Sequence, residues 1–180
     1  MKKRNTFVNM VLSAMFIAVG IVLPFLTGNV TETGKMICPM HLPVIVCGAV
    51  CGWPWGMVVG IITPLLRGVV AGAPVLYPTG ICMAFELATY GLVFGLMLKW
   101  LSSKIDRMAS IYISLVVAMI VGRVVLGLAH FTLYGMFGTP YSWQTLISSA
   151  VIQSAPAILI QFAVIPPIVY AFSRYGNRRR

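Results

Sequence analysis

Six long apolar stretches divide the chain, and short polar or proline- and glycine-rich segments separate them. The first covers residues 6–26 and is followed by a polar loop, 28–35, that holds Asn29, Thr31, Glu32 and Thr33. The second, 41–52, is short for a full crossing and stops at Trp53-Pro54-Trp55-Gly56. The third spans 55–71 and the fourth 79–101, with Pro74 and Pro78 in the loop between them. A basic loop at 102–109 leads to the fifth, 110–137. Gly138-Thr139-Pro140 makes a turn, and the sixth run, 143–172, is longer than a crossing needs and is expected to break at Pro156 and Pro166-Pro167. A helix needs roughly 20 apolar residues to cross the hydrocarbon layer. No strand-length alternation punctuated by turns competes with this reading, and open sheets cannot cross lipid because their edge groups stay unpaired. The pattern predicts an all-α integral membrane protein, one domain over residues 1–180 with six transmembrane helices. The first run continues past Pro24 without a small-residue cleavage site, so it reads as a retained span.

Composition makes lipid the solvent. Of the 180 residues 59% are hydrophobic and only 9% charged, against roughly 25% charged in a soluble domain. The net charge of +10 is gathered in three places: Lys2, Lys3 and Arg4; Lys99, Lys104 and Arg107; and Arg174 with Arg178, Arg179 and Arg180. These clusters flank apolar runs, which is the positive-inside pattern. With six spans, it sets both termini and the 102–109 loop on the cytoplasmic face. Trp53, Trp55 and Trp100 would form an inner aromatic belt, and Tyr77, Tyr134, Tyr141 and Trp143 an outer one. No basic stretch is interleaved with aromatics in the manner of an RNA or DNA contact, so no nucleic acid partner is expected.

Three charges interrupt the apolar runs: Arg67, Glu86 and Arg123. An ionised side chain at the centre of a bilayer costs at least about 2.5–3.5 kcal/mol on insertion scales, and such residues pair, line a cavity or hold a ligand. At about 1.5 Å of rise per residue, Arg67, Glu86 and Arg123 all fall roughly 20–22 Å above the inner face. His130 and Gln153 come out higher, and His41 opens the second run on the same side. Glu86 can neutralise one arginine, Arg67 or Arg123, and tie two helices together. The second arginine then keeps a surplus of one positive charge, because Asp106 and Glu32 lie in loops. An anionic small molecule, a carboxylate above all, accounts for that surplus, since the rigid guanidinium fork grips a carboxylate in two bonds. Tyr90 lies one turn beyond Glu86 and faces the same way. His130, Gln153, Tyr77 and Asn29 complete the candidate substrate-binding set, each with a plainer alternative in packing or in a solvated loop.

Several chemistries lack their residues. There is no Walker A loop, no HExxH and no G-x-S-x-G. Two histidines and one buried glutamate are thin material for a metal, so neither a metal nor a cofactor is expected. Cys38, Cys47, Cys51 and Cys82 include no CxxC, and Cys47 and Cys51 share a helix face as small packing residues. The halves show no inverted repeat of the kind that marks a stand-alone carrier. A non-enzymatic binding subunit that needs partners is the expectation; a membrane enzyme on lipid-like substrates with Glu86 as base, or a structural subunit, are the alternatives.

The layout resembles the substrate-binding S components of energy-coupling factor (ECF) vitamin transporters. The stretches Gly60-Ile-Ile-Thr-Pro-Leu-Leu-Arg67, Leu76-Tyr-Pro78 and Met83-Ala-Phe-Glu-Leu-Ala-Thr-Tyr-Gly91 are similar to members of that family. The resemblance implies six helices, cytoplasmic termini, a vitamin pocket toward the outside and residence in a bacterial plasma membrane. It also implies three partners, a transmembrane coupling (T) component and two ATPases, and a delivery step in which the S component topples in the bilayer. Ala14 and Ala18 match the alanine-x-x-x-alanine motif with which the family docks on its membrane partner; small residues one turn apart permit close helix approach. Among vitamins with an acid group, pantothenate is narrowly favoured over nicotinate, biotin and folate.

The topology has a direct check. Reporters fused at either terminus or at Lys104 are expected to read cytoplasmic, and reporters at Val30 or Pro140 external. The opposite reading at Lys104 would remove the inner-face assignment.

Overall fold

A computed structural model of the chain describes residues 6–26, 39–135 and 155–178. Six α-helices run through them: α1 (Thr6–Leu26), α2 (His41–Cys51), α3 (Trp53–Ala71), α4 (Ile81–Leu101), α5 (Arg107–Gly135) and α6 (Ala155–Arg178). A single π-type turn, Leu76–Gly80, leads into α4. No strand occurs among the described residues. Among the described residues four segments are long and apolar enough to cross a membrane: Thr6–Phe25, Trp53–Ala71, Leu76–Leu101 and Arg107–Tyr134. His41–Cys51 and Ala157–Ser173 are shorter apolar helices.

The outward surface is that of a lipid-solvated bundle. Phe7, Met15, Val69, Val70, Phe85, Trp100, Ile120, Leu128, Phe131 and Leu159 are all more than half exposed. A water-soluble monomer rarely presents apolar side chains in such numbers over one surface. Polar atoms turn inward or back onto their own helices. Thr63, Thr89 and Thr132 each return a hydroxyl to the carbonyl four residues earlier.

Several boundaries differ from the sequence expectation. Trp53-Pro54 opens α3 instead of closing α2, with the proline in the first turn, where its missing N–H costs nothing. Gly52 makes the sharp α2–α3 corner at φ 96°, a conformation open to glycine and few others. Arg107 belongs to α5, so the basic loop ends at Asp106. The fourth helix starts at Ile81 because Tyr77 is extended, at φ −124° and ψ 133°. The break expected at Pro166-Pro167 does not occur, and the one expected at Pro156 adjoins residues outside those described. Pro156 sits in the first turn of α6, and the helix passes through Pro166 and Pro167 to Arg178; neighbouring groups in a bundle re-satisfy the backbone that a proline frees. Residues 143–154, the start of the sixth apolar run, lie outside the described residues.

The centre of the bundle is α2, α3 and α4, packed almost backbone to backbone. A Cβ on Gly48 would lie 2.5 Å from the Gly91 carbonyl oxygen, and one on Gly56 would lie 2.6 Å from Gly48 Cα. One on Gly60 would meet the Leu87–Ala88 peptide at 2.5 Å. Small residues at such crossings let dispersion contacts replace the hydrophobic drive that lipid removes. Side chains take over on the flanks. Ile45, Val46, Tyr90, Phe94, Ile111, Leu115 and Ile165 form one buried cluster across α2, α4, α5 and α6. Met40, Val44, Cys47, Val59 and Leu87 form a second between α2, α3 and α4, with Leu12, Phe16 and Ile17 of α1 against it.

The length of α2 decides how deep its first residues lie. Eleven residues rise only about 16 Å, roughly half the hydrocarbon thickness. Its last turn is level with the start of α3 and the end of α4, so Met40 and His41 lie deep in the bundle and not at its surface. Both are almost fully buried. Overfilling the seam should be costly: Gly91→Val is expected to lower stability by about 1–3 kcal/mol or more. Thermal unfolding in detergent measures it, with Gly127→Ala on α5 as the control; equal effects would mean that the seam is not tightly packed.

Candidate functional site

Glu86 is the hub of the buried polar groups. It lies on α4, 2% exposed, and receives side chains from three helices. Tyr90, one turn further along α4, donates its hydroxyl to Oε1 at 3.0 Å. Arg123 of α5 brings Nη1 to the same oxygen at 3.2 Å. His41 of α2 sets Nε2 3.7 Å from Oε2. A carboxylate in so dry a place is tolerable only with its charge opposed and hydrogen bonds made to it; here Arg123 opposes the charge and Tyr90 donates to Oε1.

Tyr90 is itself held from two sides. The ring of His41 meets it edge-on, with centroids 5.3 Å apart. On the other side α5 offers Gly122, where any Cβ would lie 2.6 Å from Tyr90 Cε1. Gly122 therefore makes the seat for the ring, and its neighbour Arg123 reaches Glu86. The i, i+4 pair on α4 thus grips two consecutive residues of α5.

Arg67 stands apart from this pairing. It is half-buried on α3. Its Nη1 reaches the Met40 thioether at 3.6 Å, a weak acceptor, and its Nε is buried without a hydrogen-bond partner among the described residues. The chain of contacts runs from Arg67 to Met40, to its neighbour His41, to Glu86 and to Arg123. The choice that the sequence left open is resolved by geometry: among the described residues Glu86 forms its arginine ion pair with Arg123. The side chain of Arg123 is 19% exposed, and its Nε is buried without a hydrogen-bond partner among the same residues.

The other sequence candidates are distributed differently. His130, two turns beyond Arg123, bonds the Leu126 carbonyl through Nδ1 at 2.9 Å and stacks on Tyr134 at 5.6 Å, both within α5. Tyr77 lies in the turn before α4 and is 42% exposed. Asn29 and Gln153 lie outside the described residues. Ala14 and Ala18 are exposed on α1. A shallow apolar recess of about 280 Å³ begins at Ala18 and runs along Val19, Val22 and Leu23. A smaller cavity, about 50 Å³, lies at the far end of α2 beside Gly52, Trp53 and Lys99. Neither is lined by the Glu86 cluster. Among the described residues no three metal-ligating side chains converge. Glu86 is sequestered by three partners, a poor disposition for a general base.

Sequence reasoning set His41 at the same end as the buried charges but did not make it a partner of Glu86, and it missed Met40 and Gly122. The signal for His41 was the shortness of the second run, which pulls its first residue inward. Asn9, Ser13, Ser110 and Ser114 are also buried, so the end of the bundle that carries the basic loop holds polar groups of its own.

Taken together, the helices, the apolar exterior and the intramembrane charge cluster define a multi-pass membrane protein built around a buried polar site. A family model for the substrate-specific component of ECF transporters matches residues 8–169, and the chain belongs to that family. Membership makes it a transporter subunit rather than a member of an enzyme family, one that takes a small-molecule substrate and associates with a T component and ATPases. No curated protein and no solved structure gives a significant match.

The contacts order the stability effects of substitution. Arg123→Ala leaves the Glu86 carboxylate buried without its cation and is expected to cost about 3–5 kcal/mol. Tyr90→Phe removes one hydrogen bond and should cost about 1–3 kcal/mol. Arg67→Ala, which strips no described protein anion of a partner, should cost the least. Thermal unfolding of the ligand-free variants reads the order, and a loss with Arg67→Ala equal to that with Arg123→Ala would contradict it.

Proposed function

We propose that this chain is the substrate-binding subunit of a bacterial ECF vitamin importer, that it crosses the plasma membrane six times with both termini in the cytoplasm, and that it binds a carboxylate-bearing vitamin from the outside. Arg67 is the group that grips the acid. The observation that carries this reading is its guanidinium: five donors, one weak sulfur acceptor, and no carboxylate in reach among the described residues. Arg123 is already engaged by Glu86 and shapes the site beside it. Tyr77 and His130, with Asn29 and Gln153 from outside the described residues, complete the proposed substrate-binding set. Pantothenate remains the favoured ligand, a small acid with hydroxyl and amide groups for the neutral polar positions.

The exposed Ala14 and Ala18 and the recess that starts at Ala18 are the surface on which the T component docks, one small residue per turn admitting a partner helix. Two ATPases complete the importer.

Purified protein is expected to retain a small acid that native mass spectrometry can name, and to gain thermal stability from one member of a panel of pantothenate, nicotinate, biotin and folate. Arg67→Ala should abolish both effects while the empty protein keeps its unfolding temperature. Absence of a co-purified molecule together with no shift across the panel would refute the binding role.

A further inference from the structure

We infer that Glu86 sets the charge of the ligand without touching it, so that the site accepts vitamins with one ionised acid group and rejects those with two. The inference rests on the anion-site reading above and narrows its ligand class.

Each step comes from the cluster. Glu86 is 2% exposed, and both of its oxygens face protein groups: Oε1 is bonded by Tyr90 and paired with Arg123, and His41 covers Oε2 at 3.7 Å. A ligand cannot reach the carboxylate without evicting a side chain from another helix. What Glu86 does toward a ligand is therefore indirect: it cancels Arg123 and fixes where that guanidinium lies. Among the described residues Arg67, Glu86 and Arg123 are the charged side chains well inside the apolar helices; Lys99 is in the last turn of α4, and Arg174 lies beyond the apolar part of α6. The formal charges of these three sum to one positive unit, and that unit is at Arg67, whose donors have only Met40 to meet among those residues. One carboxylate brings the cluster to neutrality. A second acid group would arrive with its charge unopposed in a low-dielectric place, beside a carboxylate that already holds the other arginine.

This separates candidates that the surplus charge alone leaves together. Pantothenate, nicotinate and biotin carry one carboxylate and fit; folate carries two and does not. Specificity of this sort is a difference of affinities produced by an unmatched charge. Glu86 is accordingly a positioning and charge-setting residue, and Glu86→Gln keeps its shape and an acceptor for Tyr90 while releasing Arg123 as a second free cation.

The experiment uses the full-length protein in nanodiscs and two matched pairs of probes: pantothenate with 4′-phosphopantothenate, and nicotinate with pyridine-2,3-dicarboxylate. Titration calorimetry reads each affinity, and native mass spectrometry counts the acid groups on whatever molecule co-purifies. The wild-type protein should carry a molecule with one acid group and favour the monoacid of its pair by roughly tenfold or more. Glu86→Gln should narrow that ratio by roughly tenfold. The double variant Glu86→Gln/Arg123→Gln, which returns the cluster to a single cation, should restore it. A purely structural role for Glu86 would weaken both members of a pair alike and would not be undone by removing Arg123. If the single variant does not fold, the wild-type pairs and the co-purified molecule decide. A diacid such as folate in the purified protein, or an unchanged ratio in Glu86→Gln, overturns this inference and leaves the anion site standing. No acid of either kind overturns both.

Discussion

The ion pair between Glu86 and Arg123 is the interaction on which the site depends. In lipid an unopposed carboxylate is costly enough to be protonated or expelled, and here its cation comes from a different helix. The pair therefore fixes α5 against α4 at one level and in one rotation. Tyr90 and Gly122 reinforce that placement: the ring fills the gap left by the glycine, and its hydroxyl returns to the same carboxylate. His41 closes the other oxygen from α2. Three helices meet at one side chain, and among the described residues Arg123 is engaged by it while Arg67 reaches the Met40 thioether.

A buried hub of this kind needs a scaffold that brings α2, α3 and α4 unusually close. The glycine seam at Gly48, Gly56, Gly60 and Gly91 supplies it. Contact between backbones also makes the position of α2 along the bundle definite, since bare backbones have few alternative registers once they interlock. The short α2 can then end at mid-depth with His41 against Glu86 and Met40 against Arg67. In this chain the packing of small residues at one end and the electrostatics at the other are parts of one arrangement.

Much of this was legible from residue order. Apolar run lengths marked the helices, and helix rise alone set Arg67, Glu86 and Arg123 at one depth. Tyr90 followed from its spacing of four after Glu86. The choice of Arg123 over Arg67 was not legible, because depth says nothing of which helices are neighbours or how each is rotated. Gly122 was hidden for a related reason: a glycine becomes a seat only at a helix crossing, and crossings are tertiary. Pro166 and Pro167 misled in the other direction, since local backbone rules describe an isolated helix and α6 is packed in a bundle.

The central claim is a division of labour between two arginines, and a structure of the ligand-bound protein tests it most directly. The account predicts the acid group of the ligand on the Arg67 guanidinium, in hydrogen-bond contact, with Glu86 still paired to Arg123. A bound acid held by Arg123 alone, or Glu86 moved across to Arg67, would contradict it.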